Sequence, residues 1–196
     1  YAGFSPPHIN WEELNQVISY AHFIAGERVV TVLEEALRKL EVRRSEGLYT
    51  APEAAPRVLV TGCPIGGDTE KIFRTIEEVG GVVVAQEACS GLKPLLNPIE
   101  EDTDDPIAAI AKRYLQLPCS CMTPNTRRLQ TIDHLIAEFR PDAVIDVVLS
   151  GCHTYNVESL AIREHVATKH CIPFLKIETD YSESDTAKLK TRIEAL

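Results

Sequence analysis

The sequence has no long apolar run, no surplus of basic residues and no recognisable export signal. No stretch approaches the roughly 18 apolar residues that a membrane-spanning helix needs. The first seven residues, YAGFSPP, contain neither the basic nor the apolar region of a signal peptide, so we expect a cytoplasmic protein. Asp and Glu number 29 against 20 Lys and Arg, a net charge of −9. Because an acidic surface repels phosphate backbones and anionic lipid, we expect neither nucleic acid nor a membrane as a partner.

The composition is that of a globular protein, with 44% hydrophobic and 25% charged residues in a chain of 196. Near the start, Asn10 followed by Glu13 is a capping-box pattern that predicts a helix, which Gly26 interrupts before a second helix. We interpret residues 1–46 as a helical arm or a pair of interdomain helices. The segment 47–56 contains prolines and a glycine that break the helical period, which predicts a linker.

Residues 57–196 are predicted to form an α/β domain. Short runs that are apolar on both faces alternate there with helices of 10 to 15 residues, a pattern typical of a parallel sheet covered on both sides. We predict about four to five strands flanked by helices. The predicted strands are 57–61, 82–85, 143–149 and 174–177, with 114–117 as either a strand or a helix tail; the predicted helices are 68–79, 107–115, 126–139, 157–169 and 184–196.

Most of the six cysteines are predicted to gather at one edge of this sheet. An even number would allow three disulfides, but that suits short secreted domains, and we expect reduced thiols. Ligands of open α/β sheets bind beyond the carboxyl ends of the strands. Cys171 precedes its strand and is predicted to be a packing residue. The cysteines that follow predicted strands are Cys63, Cys89 and Cys152, joined by Cys119 and Cys121 if 114–117 is a strand.

Two of these cysteines stand at the heads of predicted helices. Cys121 leads into Thr123, a predicted N-cap, with Pro124 at the first helical position, and Cys152 leads into HTYN at 153–156, at the head of another helix. A helix N-terminus lowers the pKa of a thiol, and the thiolate is the form that ligates metals or attacks electrophiles. The pattern therefore predicts thiolate ligands.

Converging thiolates suit either an iron–sulfur cluster or zinc. The usual zinc pattern is C-x-x-C, and Cys119-Ser120-Cys121 is one residue short of it, so zinc is the weaker alternative. A nucleophilic pair of Cys152 and His153 is a further alternative. The residues alone leave the choice between iron–sulfur and zinc open.

Two other patterns carry weaker signals. The loop 61–68, TGCPIGGD, is rich in glycine but lacks both G-x-G-x-x-G and the Lys-Ser/Thr of a P-loop, so we interpret it as a tight turn beside a ligand crevice. Glu87, His153 and Glu158 are candidate proton donors, although residues of these types more often cap helices or face solvent.

Five segments, taken in order, resemble one enzyme family. They are TGCPIGG at 61–67, EACSG at 87–91, CSCMTPN at 119–125, CHTYNVES at 152–159 and ETDYS at 178–182. Together they resemble the iron–sulfur subunits of the 2-hydroxyacyl-CoA dehydratase and benzoyl-CoA reductase family, which includes the 2-hydroxyglutaryl-CoA dehydratase D-component. Within that family the sequence is most similar to the double-cubane cluster proteins.

The resemblance implies a Rossmann-like domain that forms one side of a cluster crevice, and it identifies this chain with the C-terminal portion of a longer subunit. Cys152 matches the C-terminal cluster ligand of the family. Cys89 and Cys121 match the additional cysteines of the double-cubane branch, with Cys119 as a substitute for Cys121, and Cys63 ranks below these. The implied cofactor is a 4Fe-4S or a double-cubane 8Fe-9S cluster, which the isolated chain need not hold.

The resemblance also implies the chemistry and the partners. Family members receive one low-potential electron from an ATP-hydrolysing iron–sulfur activator, and use it to dehydrate a hydroxyacyl-CoA or to reduce a small molecule. We therefore expect an activator, a sister subunit or a homodimer, and an acyl-CoA or small-molecule substrate, with this chain inactive by itself. The alternatives are an α/β binding module without a cluster and a structural zinc site.

Overall fold

Four parallel strands form the centre of the fold, in a computed structural model that describes residues 1–24, 26–66 and 70–196. The strands lie in the order β2-β1-β3-β4, and seven α-helices among the described residues flank them, which confirms the predicted α/β class. The strands are β1 (Arg57–Gly62), β2 (Val82–Glu87), β3 (Ala143–Leu149) and β4 (Phe174–Thr179). The helices are α1 (Trp11–Phe23), α2 (Glu27–Ser45), α3 (Lys71–Glu78), α4 (Pro106–Tyr114), α5 (Thr126–Phe139), α6 (His153–His165) and α7 (Thr186–Glu194).

Strands β1, β2 and β3 are buried on both faces, because they carry hydrophobic residues at consecutive positions, whereas the edge strand β4 is only partly buried. One set of strand residues packs against α1, α3 and α7 on one face, and a second set packs against α5 and α6 on the other; the two sets alternate along β1 and β3, and an irregularity in the pairing of β1 with β2 interrupts the alternation in β2. The first set includes Val58, Val60, Val83, Ile145 and Val147, and the second includes Leu59, Ala85 and Val144.

The strand order creates a switch point between β1 and β3. From β1 the chain crosses to β2 through α3 on one face, whereas β3 crosses to β4 through α6 on the opposite face. Crossovers on opposite faces leave a crevice at the carboxyl ends of the two central strands. Ligands of doubly wound α/β sheets bind in this crevice, so the topology alone indicates where a site should lie.

The first two helices differ in how they contact the sheet domain. Asn10 caps α1 and forms the predicted capping box with Glu13. Trp11 is buried and stacks on Phe73 with ring centroids 4.0 Å apart, so α1 packs onto the core. Helix α2 buries none of its residues and is joined to α1 by an ion pair of Arg43 with Glu13 at 2.5 Å. The division into residues 1–46, 47–56 and 57–196 stays a prediction.

Several predicted boundaries differ from the structure. Residues 115–117 form no strand, because α4 ends at Tyr114 and a turn follows. Helix α5 begins at Thr126, so the predicted cap at Thr123 and first helical position at Pro124 are wrong. The predicted helix start at Asp68 lies outside the described residues. Helix α6 begins four residues earlier than predicted and continues into a π-helical turn, Val166–His170. No helix in the described ranges has the length and apolar character to cross a membrane.

Candidate functional site

Five cysteines occupy the carboxyl side of the sheet, and we call this region the cysteine edge. Cys63 and Cys152 follow the two central strands at the switch point, and Cys89 follows the neighbouring strand β2. Cys119 and Cys121 belong to the loop between α4 and α5. This loop is held against the start of α6, because the Ser120 hydroxyl donates to Thr154 Oγ1 at 3.1 Å. The predicted gathering therefore occurs, although a loop rather than a fifth strand supplies two of its members.

Cys63 is fixed at the switch point by a close approach of two strands. Gly62 has φ +118°, and a Cβ there would lie 2.0 Å from the carbonyl oxygen of Val147. The Cys63 amide donates to that same oxygen at 2.8 Å, and the amide of Leu149 donates to Cys63 Sγ at 3.4 Å. Burial raises the pKa of the Cys63 thiol to about 12. Cys63 is thus held as a neutral thiol, which makes it a poor ligand.

The pKa of the Cys152 thiol is shifted in the opposite direction to that of Cys63. Cys152 is the N-cap residue of α6, and its pKa is lowered, chiefly by the backbone N–H of Tyr155. Thr154 Oγ1 lies 3.8 Å from its sulfur and lowers the pKa further. The expectation of a lowered pKa at this helix start is met for Cys152, whose side chain is partly exposed.

The pKa values of the Cys119 and Cys121 thiols are shifted in opposite directions. Burial works to raise the pKa of Cys119, but the amide and the thiol of Cys121 and the positive charge of Lys93 outweigh it, so the pKa is lowered. Cys121 is exposed and lies before the helix start rather than at it, and the neighbouring Cys119 raises its pKa, so the lowered pKa predicted for Cys121 is wrong. The geometry gives thiolate character to Cys119, the residue that the sequence comparison ranked as a substitute for Cys121.

A buried set of charged side chains lies directly behind the cysteine edge, and we call it the ion cluster. Glu87, at the end of β2, is fully buried and pairs with Lys93 at 2.8 Å and with Arg128 at 3.2 Å. The Thr61 hydroxyl donates to Glu87 Oε2 at 2.5 Å. Arg128 also pairs with Glu158 at 2.5 Å and lies 3.8 Å from Asp146. Strand register explains the grouping, because Thr61 of β1 is level with both Glu87 and Asp146.

The aromatic ring of Tyr155 packs against both cations of the ion cluster. The guanidinium of Arg128 lies 4.8 Å from the ring centroid of Tyr155, and Lys93 Nζ lies 5.7 Å from it. Burial, and then the negative charge of Cys89, raise the pKa of Tyr155, which places Cys89 within electrostatic reach of the ring. Tyr155 also packs against Cys63 and Cys152. This one ring therefore connects the cations of the ion cluster with three cysteines.

The ion cluster carries one anion more than its cations balance. Lys93 and Arg128 face Glu87, Glu158 and Asp146. Burial raises the pKa of Asp146 to about 6, and the nearby charge of Glu87 adds to the rise, against the opposing effects of Ser159 and Arg128. Sequence reasoning missed Lys93, Arg128 and Asp146. The available signal was Asp146, an acidic residue within the apolar strand AVIDVVL.

Comparison with known proteins identifies the family of the chain. The family model for the 2-hydroxyglutaryl-CoA dehydratase D-component matches residues 1–196. The chain belongs to this family. It is also 42% identical over 192 residues to a protein of Escherichia coli (strain K12) named "Putative dehydratase subunit YjiM". That match covers 97% of the present chain and 49% of YjiM, so the chain spans about half the length of this relative.

The structure places the three candidate proton donors of this dehydratase-family chain in different settings. Glu87 is buried in the ion cluster. Glu158 is mostly buried, binds Arg128 and accepts from Asn125 Nδ2 at 2.7 Å. His153 is exposed beside Cys152 at the first position of α6. Glu87 and Glu158 thus meet on the same guanidinium, and His153 stands apart; their catalytic roles stay predictions.

The sixth cysteine lies away from the site. Cys171 follows the π-helical turn and precedes β4, at the opposite edge of the sheet, as expected from the sequence. Its side chain is exposed and its backbone has φ +56°, so the assignment of Cys171 to packing is wrong. In this family member it serves as a natural control, an exposed thiol remote from the cysteine edge.

Proposed function

We propose that the cysteine edge supplies thiolate ligands to an iron–sulfur cluster, within a subunit of the 2-hydroxyacyl-CoA dehydratase type. The proposed ligands are Cys152, Cys119 and Cys89, with Cys121 as the alternative to Cys119. The observation that carries the proposal is the pairing of two lowered thiol pKa values, at Cys152 and Cys119, with a switch-point crevice. Thiolates that converge from separate loops are the donor set that iron–sulfur clusters use.

The spacing of the sulfurs favours a cluster over a single zinc ion. A tetrahedral zinc with Zn–S bonds of about 2.3 Å would hold its sulfurs about 3.8 Å apart. Among the described residues, no group of three ligand atoms at the cysteine edge lies within 4.8 Å of one another. A cluster of several irons keeps its thiolates farther apart than one metal ion does. The donor set therefore fits a 4Fe-4S or a double-cubane 8Fe-9S cluster better than a structural zinc site.

Two cations of the ion cluster, Lys93 and Arg128, lie next to the cysteine edge. Lys93 lowers the pKa of Cys119, and Arg128 and Lys93 lie against the Tyr155 ring that packs on Cys152. Cations fixed in a buried position stabilise nearby thiolates more strongly than solvated cations do. We propose that the ion cluster fixes these cations in place, and that Glu87 and Glu158 act as positioning residues for Arg128.

When bound, the cluster would supply the single low-potential electron that starts dehydration of a hydroxyacyl-CoA. Loss of a hydroxyl group also requires a proton. We assign proton delivery to an imidazole N–H of His153, because it is exposed beside Cys152 while both glutamates are engaged by Arg128. The family and the name of YjiM support dehydration; reduction of a small molecule, the activity of the reductase branch, is the alternative.

This function requires partners. A chain that spans half of its relative supplies only part of a cluster's surroundings, so we propose that further polypeptide or a sister subunit completes the site. Electron delivery requires an ATP-dependent iron–sulfur activator protein, and the substrate is an acyl-CoA.

Anaerobic reconstitution tests the proposal. The chain is incubated with iron and sulfide without oxygen, and iron and acid-labile sulfide are then counted per chain. We expect Cys152→Ser to lower cluster content at least severalfold, because it removes an activated ligand, and Cys171→Ser to leave it unchanged. Equal losses in the two variants, or stoichiometric zinc without iron, would overturn the proposal and favour a zinc site or a binding module. If the chain alone takes up no cluster, the same pair of variants in the longer subunit decides.

A further inference from the structure

A second group of potential ligands lies at the opposite edge of the sheet, and we call it the His–Asp cluster. It consists of Asp133 on α5, His165 at the end of α6 and His170 at the end of the π-helical turn. One ligand atom from each residue lies within 4.8 Å of the other two, and no other group of three in the described part of the chain meets this limit. Both His165 Nε2 and His170 Nε2 point at Asp133 Oδ1, at 2.7 and 2.6 Å.

The π-helical turn is what brings the two histidines together. At 3.6 residues per turn, positions five apart on an α-helix face directions about 140° apart. A π-helix closes its hydrogen bonds between residues five apart, so it returns the fifth residue to nearly the same face. The turn Val166–His170 therefore places His170 beside His165, with ring centroids 5.9 Å apart. Turns of π-helix are rare in proteins, and those that occur are often at functional sites.

The donor set has the chemistry of a transition-metal site. Two imidazole nitrogens and one carboxylate are ligands that zinc and neighbouring divalent metals accept. The three side chains are each about one fifth exposed, so an ion could enter without unfolding the region. A tetrahedral ion with bonds of about 2.0 to 2.1 Å would separate its ligand atoms by about 3.3 Å, which requires the two nitrogens to move back by only some tenths of an ångström.

One nearby cation competes for this position. Lys169 Nζ lies 2.6 Å from Asp133 Oδ2, on the side of the carboxylate opposite to the histidines. The Lys169 side chain is about half exposed, so it can turn towards solvent. The ammonium lowers metal affinity while it is paired, but it contacts Oδ2 and not Oδ1, the oxygen that both histidines contact.

We propose that Asp133, His165 and His170 form a binding site for a zinc-like divalent cation, separate from the cysteine edge and independent of the function proposed for it. The site would join the end of α6 to α5 at the edge of the sheet where the strands begin, which we call the amino edge.

Cobalt titration tests the site. Metal-free, reduced protein is titrated with Co²⁺ alone, and bound cobalt per chain is measured by equilibrium dialysis, with absorption spectra to separate thiolate from nitrogen and oxygen ligation. We expect one ion without sulfur charge-transfer absorption. Asp133→Asn and His170→Gln should each weaken its binding by at least about 10-fold, since loss of a ligand should cost no less than loss of an outer-shell partner.

His134→Gln is the matched control, because His134 is an exposed histidine on the same helix α5, paired with Glu138. It should bind Co²⁺ as the unmodified chain does. Equal binding in His134→Gln, His170→Gln and Asp133→Asn would overturn the proposal, as would cobalt spectra that show thiolate ligation only.

Lys169→Gln provides a test that does not depend on losing a residue from the cluster. Removal of the competing ammonium should tighten Co²⁺ binding several-fold, whereas Lys190→Gln, at an exposed lysine of α7, should not change it. Equal or weaker binding in Lys169→Gln would contradict the proposed use of the Asp133 carboxylate.

Discussion

The two edges of the sheet use aspartate in opposite ways. Asp146, in β3 behind the cysteine edge, is buried and has its pKa raised to about 6. Asp133, at the amino edge, accepts bonds from Lys169, His170 and His165, which lower its pKa to about 2 although partial burial works against them. Position in the fold, rather than residue type, therefore decides which carboxylate costs stability when ionised and which contributes it.

The difference follows from where charge can be solvated. Every charge of the ion cluster except that of Glu158, whose side chain is 17% exposed, is closed to water and depends on protein partners, so removal of one partner leaves another charge buried. The His–Asp cluster is partly open, so water can replace a lost partner. We expect substitutions in the ion cluster to lower the stability of the fold by leaving a charge buried and unpaired. Substitutions in the His–Asp cluster should lower it only slightly.

The largest expected effect is that of Arg128→Met. The side chain of Arg128 is buried and pairs with Glu87, Glu158 and Asp146, so its loss leaves these carboxylates without their main cation. We expect the free energy of unfolding to fall by about 3 to 5 kcal/mol, measured by urea denaturation at neutral pH.

Two variants set the scale for this result. Arg127→Met changes an exposed neighbour on the same helix and should shift stability by less than about 0.5 kcal/mol. Lys169→Met removes the half-exposed cation of the other edge and should cost at most about 1 kcal/mol. If Arg128→Met cost no more than Lys169→Met, the contrast between the edges would fail.

Asp146→Asn should change the pH dependence of stability. The pKa of Asp146 is raised above its unfolded value of 3.8, so the native state binds the proton more tightly and stability falls as pH rises from about 4 to about 6. Asparagine cannot ionise, so the stability of the variant does not fall in this way. We expect its stability relative to the unmodified chain to improve with pH across that window, by up to about 1.4 kcal/mol per pH unit.

The measurement is urea denaturation at several pH values between 4 and 7. Asp104→Asn, which removes an exposed carboxylate from the loop before α4, serves as the control for loss of one surface charge. A relative stability of Asp146→Asn that stays flat across this range would show that burial does not penalise the Asp146 charge.

The sheet and the gathering of cysteines were predictable because both depend on local patterns. Apolar runs define the four strands, and the residue after each strand falls at one edge once the sheet is parallel. The apolar spacing also predicted α5 with its observed bounds, 126–139, but the cap predicted at Thr123 was wrong, because Asn125 precedes the helix. Asn125 donates its side-chain amide to the carbonyl of Cys119 and to Glu158, and these are contacts with other parts of the fold rather than with its own helix.

The two charged clusters could not be derived from the sequence. Lys93, Arg128 and Asp146 are far apart in the chain, and only the register of β1 with β2 and β3 brings their partners level. His165 and His170 have a spacing of five that fits no face of an α-helix, and the π-helical turn that aligns them leaves no composition signal. Side-chain partners across the fold, rather than local propensity, build both sites.

Asp133→Asn gives the smallest expected effect, and its pH dependence should have the opposite sign to that of Asp146→Asn. The pKa of Asp133 is lowered, so its contribution to stability is complete above the unfolded value of 3.8 and is lost as pH falls towards 2. In metal-free protein we expect the variant to be less stable by about 1 kcal/mol at pH 7, because the pairs are partly solvated, and the gap to narrow below pH 4. Urea denaturation at pH 7 and pH 3 measures both values. A gap that widened on acidification would mean that Asp133, like Asp146, is penalised by burial, and the contrast between the two edges would disappear.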